Sequence, residues 1–126
     1  MSNLLYDSLF GRHIGDDKPF LIFADGRKIS YDAFLRMASR FANTLKAAGL
    51  SAGDRLAVQV EKSAEALAVY AACVQSGMIF LPLNTAYKPA EVEYFIGDSG
   101  ARMLIAGDAE SLQSIAARHN VILHDM

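Results

Sequence analysis

The residues able to do chemistry in this chain are few and scattered. His119 and His124 are close in sequence but fall on different predicted elements, and His13 lies far from both. No cysteine or second histidine stands beside them at metal-ligand spacing, so no metal site is expected, and His119 reads as a solvated helix end. Cys73 sits in the apolar stretch AACVQ and reads as a buried small hydrophobe. A nucleophilic cysteine there would need a nearby histidine, which the sequence does not place. Glu61, Lys62 and Glu65 crowd a predicted helix start. An acid–base pair is one reading of them, and a solvated helix start is the favoured one. Tyr70, inside an oily run, reads as a core aromatic with its hydroxyl at a rim. Neither G-x-G-x-x-G after a strand nor G-K-S or G-K-T occurs, and GLSAG at Gly49–Gly53 has no lysine and no preceding strand.

The stretch MIFLPLNTAY, Met78 to Tyr87, is more informative. Ile79 to Leu83 is a compact apolar run of strand length that reads as a central strand. Pro82 lacks an N–H and marks where pairing stops or one side is uncovered. Asn84 and Tyr87 follow the carboxyl end of this strand, where open α/β sheets place their ligands. They either shape a pocket there or hold the turn, through an Asn side chain and an aromatic plug.

The elements that must position these residues follow from spacing and caps. Leu4 to Phe10 suggests a short opening helix with Leu4, Leu5 and Ser8 on one face, followed by a loop over Gly11 to Lys18. Apolar runs around Asp25-Gly26 predict a hairpin. Ser30 is a natural N-cap for a helix whose apolar stripe is Phe34, Ala38, Phe41, Leu45 and Ala48, closed by Gly49. Arg55 to Val60 alternates like a strand. Ser63 caps a helix to about Ser76 that is oily on most faces, ended by Gly77. Pro89 suits the first turn of the next helix, with Val92, Phe95 and Ile96 inward. Met103 to Ile105 is a strand, Asp108 is placed to cap a helix with Leu112, Ile115 and Ala116 inward, and Val121 to Leu123 is a last strand. This alternation predicts an α/β fold with a mostly parallel sheet flanked by helices.

The chain has 126 residues, is 52% hydrophobic and carries a formal net charge of −2, which suits one ordinary domain and gives no basic surface for nucleic acid. The N-terminal MSNLLYDSLFGR has no basic segment before an apolar core and does not read as a signal peptide. The oiliest run, Ala64 to Leu83, is broken by Glu65, Gln75, Gly77 and Pro82, so no membrane span is expected. The expected compartment is the cytoplasm.

The order GLSAGDRLAVQVEKSAEALAVYAACVQSG, then MIFLPLNTAYKPAEVEYFIGDSGARMLI, resembles the opening region of the AMP-forming acyl-CoA synthetases, the adenylate-forming ligases. The shared features are Gly53-Asp54 before a strand, a buried helix ending at Gly77, Pro82-Leu83-Asn84 at a strand end, and a helix followed by Ala101-Arg102. Within that family, VQVEKSAEAL and PLNTAY resemble the malonyl-CoA synthetase branch; Lys88-Pro89 departs from the usual Ser- or Thr-capped helix start. The resemblance implies a partial large N-terminal domain over 1–126. The complete enzyme would join a small carboxylate, malonate, to coenzyme A through an acyl-adenylate, using ATP and Mg2+. The family's phosphate loop, nucleotide contacts and C-terminal lysine match no position here, so no catalytic, cofactor-binding or metal-binding residue is assigned and the isolated chain is expected to be inactive. It is also expected to expose apolar surface and to self-associate. A truncated gene product and a small non-catalytic α/β interaction module are the alternatives.

Overall fold

The computed structural model describes residues 3–126, which divide into two compact units. One comprises the residues up to Gly49 together with Lys62–Gly77; the other comprises Leu50–Glu61 and Met78–Met126.

The first unit contains α1 (Leu4–Leu9), a 3-10 turn (Gly11–His13), the hairpin strands β1 (Pro19–Ile22) and β2 (Lys28–Ser30), α2 (Tyr31–Ala47) and α3 (Ala64–Ser76). Asn3 has two tasks. Its Oδ1 accepts the Tyr6 N–H at 3.0 Å and so caps α1, while its Nδ2 donates to the Val74 carbonyl near the end of α3 at 2.7 Å. The leucines of α1 face out, with Leu4 75% exposed, and it is Tyr6 and Phe10 that join the core. The face that Leu4, Leu5 and Ser8 were expected to share is exposed, and the two aromatics supply the buried contacts instead.

The hairpin turns at Asp25-Gly26 as expected. Gly26 takes a φ of +89°, and Asp25 Oδ1 accepts the Arg27 N–H at 2.9 Å. Ser30 Oγ caps α2 by accepting the Ala33 N–H at 3.1 Å. The buried stripe of α2 is Phe34, Leu35, Ala38, Ala42 and Leu45, with Phe41 only half-buried, so the face is rotated slightly from the expected one. Ser63 Oγ caps α3 through the Ala66 N–H at 3.0 Å, and Gly77 closes it in the left-handed region. Six residues of α3 are buried, in agreement with its oily composition. Phe34 is the largest fully buried side chain in this unit, with Phe10 and Phe20 rings at 6.0 and 4.8 Å.

The second unit is built on β3 (Arg55–Gln59), β4 (Ile79–Pro82), α4 (Pro89–Ser99), β5 (Met103–Ala106), a 3-10 turn (Glu110–Leu112), α5 (Gln113–Arg118) and β6 (Ile122–Asp125). Its four strands are all parallel, in the order β4-β3-β5-β6. Val92 and Ile96 of α4 share one core with Leu112, Ile115, Ala57 and Leu104.

Three expectations change in this unit. β4 is an edge of the sheet, not a central strand: Pro82 is its last residue and Ile79 is 46% exposed. An edge tolerates the missing proline N–H. The central strands are β3 and β5, and Leu56, Ala57 and Val58 are all buried in place of the expected alternation. Asp108 does not cap the helix backbone; its carboxylate accepts the Ser111 hydroxyl at 2.9 Å, and the segment opens as a 3-10 turn. At α4, Glu91 Oε1 accepts the Lys88 N–H at 3.1 Å, half of a capping box that lysine, having no acceptor, cannot complete. Among the described residues no helix is long and apolar enough to cross a membrane.

Two substitutions test this packing by urea unfolding. Phe34→Ala is expected to cost about 3–5 kcal/mol, because it empties a fully buried aromatic site. Gly100→Ala, at φ +67° with open space around the new methyl, is expected to cost about 1–2 kcal/mol through backbone strain alone.

Candidate functional site

The strand order directs attention to one place. β4 lies on one side of β3, whereas β5 and β6 lie on the other, so the order reverses between β3 and β5. In open parallel sheets the ligand crevice forms outside the carboxyl ends of the strands at such a reversal. Here that end carries Gln59 on β3, Gly107 after β5 and the Asn84–Lys88 loop after β4.

These groups are tied together. The Gly107 N–H donates to the Gln59 carbonyl at 3.1 Å. The Gln59 side-chain amide donates to the carbonyls of Asn84 at 3.0 Å and Tyr87 at 3.1 Å. Within the loop, Asn84 Oδ1 accepts the Ala86 N–H at 2.9 Å, and the Asn84 carbonyl accepts the Tyr87 N–H at 3.0 Å. The Tyr87 ring stacks on Phe95 with centroids 5.2 Å apart. Asn84 thus holds the turn. Tyr87 does both things open to it: it plugs the core and lines a hollow of about 420 Å³ with Ala90, Glu91, Tyr94 and Phe95. Sequence reasoning did not single out Gln59. Its signal was present in RLAVQV, where one amide interrupts an apolar strand just before its end.

The other chemical residues are dispersed. Cys73 is fully buried in α3, and burial pushes its thiol up to about 12. Tyr70 packs with the aromatic core, its ring 6.5 Å from Phe10. Glu61 and Lys62 are exposed, and Glu65 lies in the exposed first turn that Ser63 caps, as a helix start would have it. His13 stacks on Tyr31 at 4.0 Å; Arg12 Nε donates to its Nε2, which leaves Nδ1 as the donor to Asp16 Oδ2 at 3.2 Å. His124 lies on β6, exposed. His119 is more than a solvated helix end, because its Nε2 lies 3.1 Å from Glu93 Oε2, which also accepts from Arg118 Nε at 2.9 Å. The Arg118 hydrogen bond, followed by that of His119, holds the Glu93 carboxyl below its usual range. Among the described residues no group of three or more His, Cys, Asp or Glu side chains is placed to hold a metal ion.

A parallel sheet whose order reverses at a looped carboxyl end places the chain among the open α/β folds, and comparison with known proteins narrows the class. Residues 12–125 match the AMP-binding enzyme family, and the chain belongs to it. It is an adenylate-forming acyl-CoA ligase family member whose fold matches the N-terminal domain of those enzymes. It is 34% identical over 87 residues to the fatty acid–[acyl-carrier-protein] ligase ScoC of Streptomyces coeruleorubidus, covering 69% of this chain and 17% of that protein. It is 36% identical over 94 residues to feruloyl-CoA synthase of an Amycolatopsis species, covering 73% and 19%. The crystal structure of apo MatB from Rhodopseudomonas palustris superposes with a TM-score of 0.89 at 39% identity, over 98% of this chain and 25% of that one. The chain therefore spans less than a fifth of these two relatives and a quarter of MatB.

Cys73 is expected to resist alkylation by iodoacetamide at pH 8 in the folded protein, because burial shields the thiol and holds it protonated, and to react fully in urea. Glu93 is expected to contribute to acid stability. Its folded carboxyl titrates lower than the unfolded one, so the contribution is complete above the unfolded value and is lost as pH falls through the folded value. Glu93→Gln should flatten the acid limb of Tm against pH, and an unaltered limb would refute the role.

Proposed function

We propose that these residues form the opening section of the large N-terminal domain of a longer, cytoplasmic, ATP-dependent ligase that joins malonate to coenzyme A. The observation that carries the ligase assignment is the likeness, over 98% of the chain, to one quarter of MatB, which is also known in an ATP-bound form at 40% identity. The choice of malonate rests on VQVEKSAEAL and PLNTAY, which resemble the malonyl-CoA synthetase branch.

The chemistry of such a ligase follows from the poor electrophilicity of a carboxylate. Attack of a carboxylate oxygen on the α-phosphorus of ATP expels pyrophosphate and leaves the acyl group on a good leaving group, AMP. The coenzyme A sulfur, losing its proton, then attacks the acyl carbon; the thioester bond forms as the bond to AMP breaks. None of the described residues makes a glycine-rich phosphate cradle or an acidic cluster suited to Mg2+, so no step is assigned to a residue of this chain. Its part is to supply sheet, helices and strand-end loops.

The test is malonate- and coenzyme A-dependent release of AMP by the native polypeptide that carries these residues. Release with another small acid and none with malonate would overturn the substrate. The isolated 126-residue chain is expected to release none, and release by that purified chain would overturn its assignment as part of a site completed elsewhere. With Leu4, Leu5, Ile14 and Ile22 exposed, the isolated chain is also expected to associate; sedimentation as a monodisperse monomer with a cooperative melt would contradict this.

A further inference from the structure

We propose that Gln59 is a positioning residue of the ligase, fixing the Asn84–Lys88 loop against the carboxyl end of the sheet, an inference that rests on the ligase function proposed above. Gln59 ends β3, the strand paired with both β4 and β5, and is half-buried there. Its amide has two N–H groups and gives both to the loop, one bond at each end of the turn, to Asn84 and to Tyr87. Its own carbonyl holds Gly107, the first residue after β5. One residue thus ties the exits of both neighbouring strands.

The other hydrogen bonds of the loop are local. Ala86 and Tyr87 donate to Asn84, and Lys88 donates to Glu91. They set the shape of the turn but not its place against the sheet. The last main-chain bond to β3 before the turn is from Leu83 N–H to the Val58 carbonyl at 2.8 Å. Beyond it the Gln59 amide takes over, together with the stacking of Tyr87 on Phe95. Thr85 and Lys88 stay exposed on the loop so held. Gln59 acts through that loop and touches no reacting atom.

The experiment uses the full native chain with Gln59→Leu, which removes both donors at similar size, and Gln59→Glu, whose carboxylate cannot donate at pH 7. Hydrogen exchange at the Tyr87 amide is expected to rise about 10-fold, while amides of β3 and β5 keep their protection. The KM for the carboxylate is expected to rise several-fold with kcat changed by less than about twofold. The second variant serves if the first fails to fold. Unchanged exchange, or faster exchange with unchanged KM, overturns the positioning role while leaving the ligase intact. A wild-type chain that releases no AMP with any carboxylate removes the ligase function first, and the positioning role with it.

Discussion

The second unit depends on the pairing of β3 on both of its edges. A strand paired in parallel on two sides has no solvent edge, and its neighbours must each be reached by a long connection. For β3 these are the passage through α3 to β4 and the passage through α4 to β5. Leu56, Ala57 and Val58 are buried in succession along β3, as in parallel strands whose faces are covered. The outer strands are freer in composition. β4 accepts a proline and β6 carries His124 and Asp125, because each is paired on one side only among the described residues.

The same pairing sets the chemistry at the strand ends. A buried strand must become polar again where it leaves the sheet, and Gln59 is the residue at which β3 does so. Its amide satisfies two loop carbonyls that have no ladder partner, and its carbonyl satisfies the first amide beyond β5. A charged residue in that position would meet two carbonyl oxygens with the wrong sign or the wrong number of donors. Lysine would place three N–H groups where two are accepted, and a carboxylate would place none. The neutral amide fits the acceptors present.

Features decided within three or four residues were legible in the sequence. Ser30, Ser63, Gly49, Gly77 and Pro89 act on their own turn of backbone, and each stands where its chemistry predicts. Features decided by distant partners were not. Met103–Ala106 and Ile79–Pro82 are both short apolar runs, and only the strand order makes the first central and the second an edge. His119 is an exposed helix end as expected, but its contact with Glu93 was not legible, because Glu93 lies on the preceding helix. Gln59 reaches carbonyls 25 and 28 positions ahead, and carbonyls carry no sequence signature at all. The family was legible for a different reason: many weak fragments in fixed order are jointly specific.

The interleaving of the two units has a consequence for the chain as it is made. The first unit lacks α3 until Gly77 has been synthesised, and Asn3 must wait that long for the Val74 carbonyl. By then β3 already exists, yet neither of its partners does. At ~5–20 residues per second, roughly 30 more residues and a few seconds separate the completion of α3 from the arrival of β5. Until Pro82 has been made both edges of Arg55–Gln59 are open, and the edge that pairs with β5 stays open until Ala106. The nascent chain is thus most adhesive while its first unit is already whole, and the segment that most needs shielding then is Arg55–Gln59.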